Sequence, residues 1–126
     1  NIIAPINAQQ EVTILDLNDI DSVKAELEKG DVCAVIVEFI QGVGGLDQAT
    51  ADFFEQVDVL CKANNTMFIA DEVQSGFARS GKFFAFQHHG IQPDLVMERN
   101  GFHASFSGRH AQYRNYSTTR WPFVFI

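Results

Sequence analysis

Apolar residues recur at helical spacing at Ile20, Val23 and Leu27, and the stretch is bounded by a capping residue, Asn18 or Asp19, and by Gly30. That spacing predicts a short helix with one buried face, closed where glycine tolerates the left-handed turn. Val32 to Val37 is different: an unbroken apolar run without alternation, as expected for a strand covered on both faces of a parallel sheet. Glu38 ends it, and the glycine-rich stretch Gln41 to Gly45 follows as a loop. Helical spacing returns from about Ala51 to Ala63, with Phe53, Phe54, Val57, Leu60 and Cys61 on the buried side. Asn64 and Asn65 turn the chain into a second apolar run, Met67 to Ala70, closed by Asp71 and Glu72. A short strand at Val12 to Leu15, a short aromatic helix around Lys82 to His88 and a strand opening at Pro93 to Val96 complete the reading. The alternation of helix and strand is that of an α/β fold with a mainly parallel sheet covered by helices.

Composition adds further constraints. The chain has 126 residues, 46% hydrophobic and 20% charged, which suits a globular domain or part of one. Its net charge of −7 argues against nucleic acid as a partner. The charge is uneven: residues 1–98 carry 5 basic against 16 acidic side chains, whereas residues 99–126 carry 4 arginines and no acid. Cys33 and Cys61 form no redox or metal motif and read as small buried hydrophobes in a reducing compartment. No apolar run approaches the roughly 20 residues of a membrane span. Asn1 and the apolar run from Trp121 to Ile126 do not resemble natural termini, and the chain is expected to be an internal fragment.

In open α/β sheets ligands bind beyond the carboxyl ends of the strands, where Glu38 and Asp71 lie. Position alone leaves two roles open for each acid: tying local backbone or an arginine, or holding a ligand. Gly76 to Lys82 has the spacing of a phosphate loop, but Phe83 stands where a magnesium-binding hydroxyl belongs, and the acidic strand precedes the loop instead of following it. A nucleotide hydrolase is therefore a weak alternative. Adjacent His88 and His89 point about 100° apart on a helix and serve packing or surface roles better than a shared metal.

Two stretches together are more specific. Ala34 to Gly45 resembles the Val-Ile-Val-Glu-Pro-Ile-Gln-Gly-Glu-Gly-Gly block of class III pyridoxal-phosphate-dependent aminotransferases, and Phe68 to Ala85 resembles that family's Asp-Glu-Val-Gln-(Ser/Thr)-Gly-x-x-Arg-(Ser/Thr)-Gly-Lys block. Gly90 to Leu95 continues the likeness, which covers roughly Leu17 to Val96 in one register and is greatest to the acetylornithine and ornithine branch. The resemblance implies part of the large domain of a type I pyridoxal-phosphate enzyme, a homodimer when intact, with an amino donor and a 2-oxo acid as substrates. It implies a cytoplasmic location, with the mitochondrial matrix as the alternative. It assigns cofactor contacts to three residues: Asp71 to the pyridine nitrogen, Val73 to one face of the ring, and Gln74 near the phenolic oxygen. Arg79 is expected to tie the loop by hydrogen bonds.

Three positions depart from the pattern. Phe39 replaces a common proline, and Val43 replaces a glutamate that helps sort amino donors. Where the family continues Met-Ala-Lys-Gly, this chain reads Met97-Glu98-Arg99-Asn100-Gly101, and no lysine follows Lys82. The family's lysine forms the Schiff base with the cofactor; a permanently protonated guanidinium cannot. Residues 1–96 are therefore expected to be a partial transferase domain without its catalytic amine. Residues 97–126 are expected to be a tail read out of frame: dropping CA from ATG GCA AAA GGA ATG GG turns Met-Ala-Lys-Gly into Met-Glu-Arg-Asn-Gly. A non-catalytic relative that binds the cofactor or a partner is the other reading.

Overall fold

The computed structural model describes residues 12–43, 45–98, 101–104 and 122–126. Six strands form one sheet in the order β1-β6-β2-β3-β4-β5. They are β1 (Val12–Ile14), β2 (Ala34–Glu38), β3 (Met67–Asp71), β4 (Leu95–Glu98), β5 (Gly101–Ala104) and β6 (Phe123–Phe125). All neighbours are parallel except β4 and β5, which run antiparallel. The expected α/β fold with a mainly parallel sheet is the one observed.

Helices α1 (Ile20–Leu27) and α2 (Ala51–Ala63) lie where the apolar spacing predicts them, and of the two caps offered for α1 it is Asp19 that is used. Asp19 caps α1 by accepting from the Ser22 amide at 3.1 Å, and Thr50 Oγ1 accepts from the Phe53 amide at 3.2 Å. Gly30 closes α1 in the left-handed region, at φ 76°, with its amide on Leu27 O at 3.1 Å. The predicted aromatic helix is only one 3-10 turn, Ala85–His88.

The main core lies between these helices and one face of the sheet. Val23, Leu27, Phe53, Phe54, Val57 and Cys61 meet Val35, Val37, Phe68 and Val124 there. Phe39 stacks on Phe54 with ring centroids 4.5 Å apart, so the residue replacing proline has become a core aromatic. Coverage of both sheet faces was expected from the unbroken apolar run in β2. The opposite face carries a smaller cluster in which Ile36, Met67, Leu95, Met97 and Phe123 are only partly buried. Both cysteines are buried, and neither forms a disulfide.

Candidate functional site

Strand register sets the site. Glu38 pairs with Asp71, and Asp71 with Met97, so the carboxyl ends of β2, β3 and β4 form one edge. A loop leaves each of the first two strands. The loop after β2 folds back on itself: Gln41 N donates to Asp47 O at 3.0 Å and Leu46 N to Gln41 O at 2.9 Å. Glu38 Oε2 accepts from the Gly42 amide at 3.1 Å, so this acid organises its own loop.

The loop after β3 is tied at more points. Asp71 Oδ1 accepts from the Val73 amide at 3.0 Å. Among the described residues Oδ2 has no protein partner. Glu72 is fully buried; its Oε2 accepts from Ser75 Oγ at 2.5 Å and its Oε1 from the Phe86 amide at 2.9 Å. One carboxylate thus clamps both ends of the loop, using charge-assisted hydrogen bonds that are stronger than neutral ones. Arg79 Nη1 donates to Gln74 O at 3.1 Å, the tying role expected of it. Phe77 and Ala78 sit at positive φ, 59° and 63°, where side chains are rarely found.

The two loops meet at Gly42 and Gln74. A Cβ placed on Gly42 would meet the Gln74 side-chain amide, so any larger residue there would displace that amide from its present position. Between the loops lies a cavity of about 240 Å³ lined by Ile40, Gly42, Leu46, Gln74, Ser75, Arg79 and Ser80. Ser80 Oγ is buried there without a hydrogen-bond partner among the described residues. Asp71 and Val73 stand outside this lining, on the strand edge beside it, and Val73 is 40% exposed. A larger cavity, of about 480 Å³, is lined entirely by α1 and α2 residues, away from the strand ends.

Asp71 ends β3, and Val73 and Gln74 lie in the turn that follows it, Gln74 alone of the three lining the cavity. The clamp by Glu72 and the Gly42–Gln74 contact were not foreseen. The only available signal was the Glu72-x-x-Ser75 spacing, which also occurs in ordinary turns. His88 and His89 do not form a metal site: Nε2 of His88 lies 2.9 Å from Ser80 O, and His89 packs against Phe39 and Phe54. Among the described residues no group of three metal-ligating side chains exists, and no helix is long and apolar enough to cross a membrane. The Lys82 ammonium donates to Gln87 O at 2.9 Å, and among the described residues no α-helix follows the Gly76–Lys82 loop to present a phosphate-binding amino end.

At the carboxyl edge of the sheet the structure thus places a carboxylate oxygen without a partner among the described residues, an exposed valine and an amide side chain. Comparison with known proteins places the chain in a family. The family model for Aminotransferase class-III matches residues 1–112. Acetylornithine aminotransferase of Bacillus subtilis (strain 168) is 40% identical over 92 residues, covering 73% of this chain and 24% of the relative. The structure of N-acetylornithine aminotransferase from Stenotrophomonas maltophilia K279a superposes with a TM-score of 0.66 at 30% identity, over 75% of this chain and 29% of that one. An ornithine aminotransferase from Toxoplasma gondii, with partial occupancy of PLP at its active site, gives a TM-score of 0.64 at 31% identity, over 67% of this chain and 20% of that one. The chain spans about a quarter of the length of the relatives it matches.

Proposed function

The chain belongs to the class III aminotransferases, and from that premise we propose that it carries the ring-binding half of a pyridoxal-phosphate site without the amine that completes it. The parent activity is transfer of an amino group from an ornithine-like donor to a 2-oxo acid. Similarity to acetylornithine and ornithine aminotransferases supports that substrate class. The intact parent works as a homodimer. When bound, the cofactor supplies an electron-withdrawing ring that stabilises negative charge at the substrate carbon.

The residues of this chain divide the work of holding that ring. Asp71 keeps one oxygen on the Val73 amide and offers the other to the pyridine nitrogen, where an opposite charge favours the protonated form. Val73 packs on one ring face. Gln74, whose side-chain amide lies against Gly42, would hydrogen-bond near the phenolic oxygen. Glu72 holds the loop that carries both.

The lysine is the missing part. Each of the chain's four lysines is engaged elsewhere. Lys24 and Lys29 pair with Glu28 and Glu26, Lys62 with Asp58, and Lys82 with Gln87 O. The observation that carries the reading is Asp71 at the β3 terminus with a carboxylate oxygen left for a ligand. Titrating the full chain with pyridoxal phosphate tests it. Saturable binding, weakened about tenfold in Asp71→Asn (about 1.4 kcal/mol), is expected. Equal binding by both proteins, or none by either, overturns the assignment. Magnesium-dependent nucleotide binding abolished by Lys82→Ala would put a nucleotide hydrolase in its place.

A further inference from the structure

The walls of the cavity between the loops after β2 and β3 are held by short-range bonds. On the β3 side Glu72 holds the Ser75 hydroxyl, Arg79 Nη1 donates to Gln74 O at 3.1 Å, and His88 Nε2 lies 2.9 Å from Ser80 O. On the β2 side Glu38 accepts from the Gly42 amide, and Leu46 N closes on Gln41 O at 2.9 Å. All of these bonds run between residues 38 and 88, inside the family-matched residues 1–112. The cavity is therefore built by two local loops. Asp71 and Val73 stand outside its lining, so it is read independently of any ring at the strand edge.

The lining has a definite chemistry. About 240 Å³ is below the roughly 300–1,000 Å³ of sites for drug-sized ligands, so a small occupant fits it. Ile40 and Leu46 supply aliphatic wall. Arg79 uses one of its five N–H donors on Gln74 O and pairs with no carboxylate among the described residues. The adjacent Ser80 Oγ is buried without a hydrogen-bond partner among those residues. A buried hydroxyl without a partner is unfavourable in a fold, and a ligand that brings an acceptor relieves it. The guanidinium selects an anion, and a planar carboxylate matches its fork. We propose that this cavity binds a short-chain aliphatic monocarboxylate. The carboxylate sits on the Arg79 guanidinium and the Ser80 hydroxyl, and the hydrocarbon tail lies along Ile40 and Leu46.

Ligand-observed NMR on the full chain, with butyrate as the probe, tests the proposal. Butyramide has the same shape without the charge and should bind about tenfold more weakly. Acetate is two methylenes shorter and should be weaker by at least about tenfold, at roughly fourfold per buried methylene. Ser80→Ala removes a hydroxyl that bonds nothing in the fold. Its melting temperature without ligand should equal or exceed that of the unaltered chain, while its affinity for butyrate should fall about tenfold. Arg79→Gln should no longer distinguish butyrate from butyramide. Equal binding of the two by the unaltered chain, binding of neither, or undiminished butyrate affinity in Ser80→Ala overturns the proposal. Tighter binding of inorganic phosphate than of butyrate also overturns it, because the aliphatic wall would then contribute nothing. Pyridoxal phosphate is followed separately by its absorbance, so failure at one site is not mistaken for failure at the other.

Discussion

Glu72 and His89 show how much of this site depends on groups that touch no ligand. Glu72 is fully buried, and each carboxylate oxygen has a donor, Ser75 Oγ or the Phe86 amide. Glu72→Ala strands both donors and opens a void, so urea denaturation should show a loss of about 2–3 kcal/mol. Glu72→Gln keeps one acceptor and should lose less. His89 lies between Phe54, 4.7 Å away by ring centroid, and Phe39, at 5.5 Å. Burial lowers its pKa below the ordinary value of 6.5, and His88 lowers it further, while Glu55 acts in the opposite direction. A lowered histidine pKa means that the unfolded chain takes up the proton first. The stabilisation is complete above the unfolded pKa and is lost as pH falls through the folded one. The melting temperature should therefore drop between about pH 7 and pH 5, and His89→Phe should flatten that part of the profile. A pH response unchanged in His89→Phe would assign it to other groups. Asp71, Val73 and Gln74 could be singled out as candidates because they belong to one short motif. Glu72 was not, because a second acid after an apolar strand reads as solvent-facing until the chain folds over it.

At the level of elements, legibility followed how local the determining interactions are. The limits of α2 could be read from its apolar face, because a helix is specified within its own sequence, whereas its cap, Thr50, was found in the structure. Removing the cap in Thr50→Ala should cost about 1 kcal/mol, seen as a lower urea midpoint with an unchanged slope. A larger loss, or a changed slope, would mean that Thr50 supports more than the Phe53 amide. β2 and β3 were recognisable as apolar runs, but their neighbours were not. Sheet order depends on which distant segments meet, and the β1-β6-β2 arrangement joins residues about 90 apart, as in the Cys33 to Pro122 contact. β6 is three residues long in a stretch without family resemblance, too short for any period to show. The unbroken run in β2 predicted two covered faces, yet Ile36 stays partly buried. Periodicity reports what a strand can bury, and the number of layers present decides what it does bury.

For the whole molecule, the change in one motif weighs most, because the chain spans about a quarter of its relatives' length and that quarter includes the lysine-bearing stretch. The likeness to the family's lysine-bearing stretch is lost at Met97-Glu98-Arg99, the acidic balance ends at Glu98, and the family match itself extends to residue 112. We propose that a small deletion in the gene near Met97 produced the altered stretch; an uninterrupted homologue with the same Arg99 sequence would refute it. The protein chemistry can be tested without the gene. Pyridoxal phosphate fixed by borohydride marks any amine that the folded chain holds at the cofactor. Lys24, Lys29, Lys62 and Lys82 are occupied in local contacts and should take only scattered, substoichiometric label. R99K returns an amine to the position where the family's motif has its lysine, and mass mapping should then find one dominant adduct there. That adduct should disappear again when Asp71→Asn is combined with it, because orientation of the ring and attachment to the amine act on the same bound molecule. A single stoichiometric label on one of the four native lysines would reverse the argument: the chain would have kept a catalytic amine at a new place, and transamination should then be assayed directly.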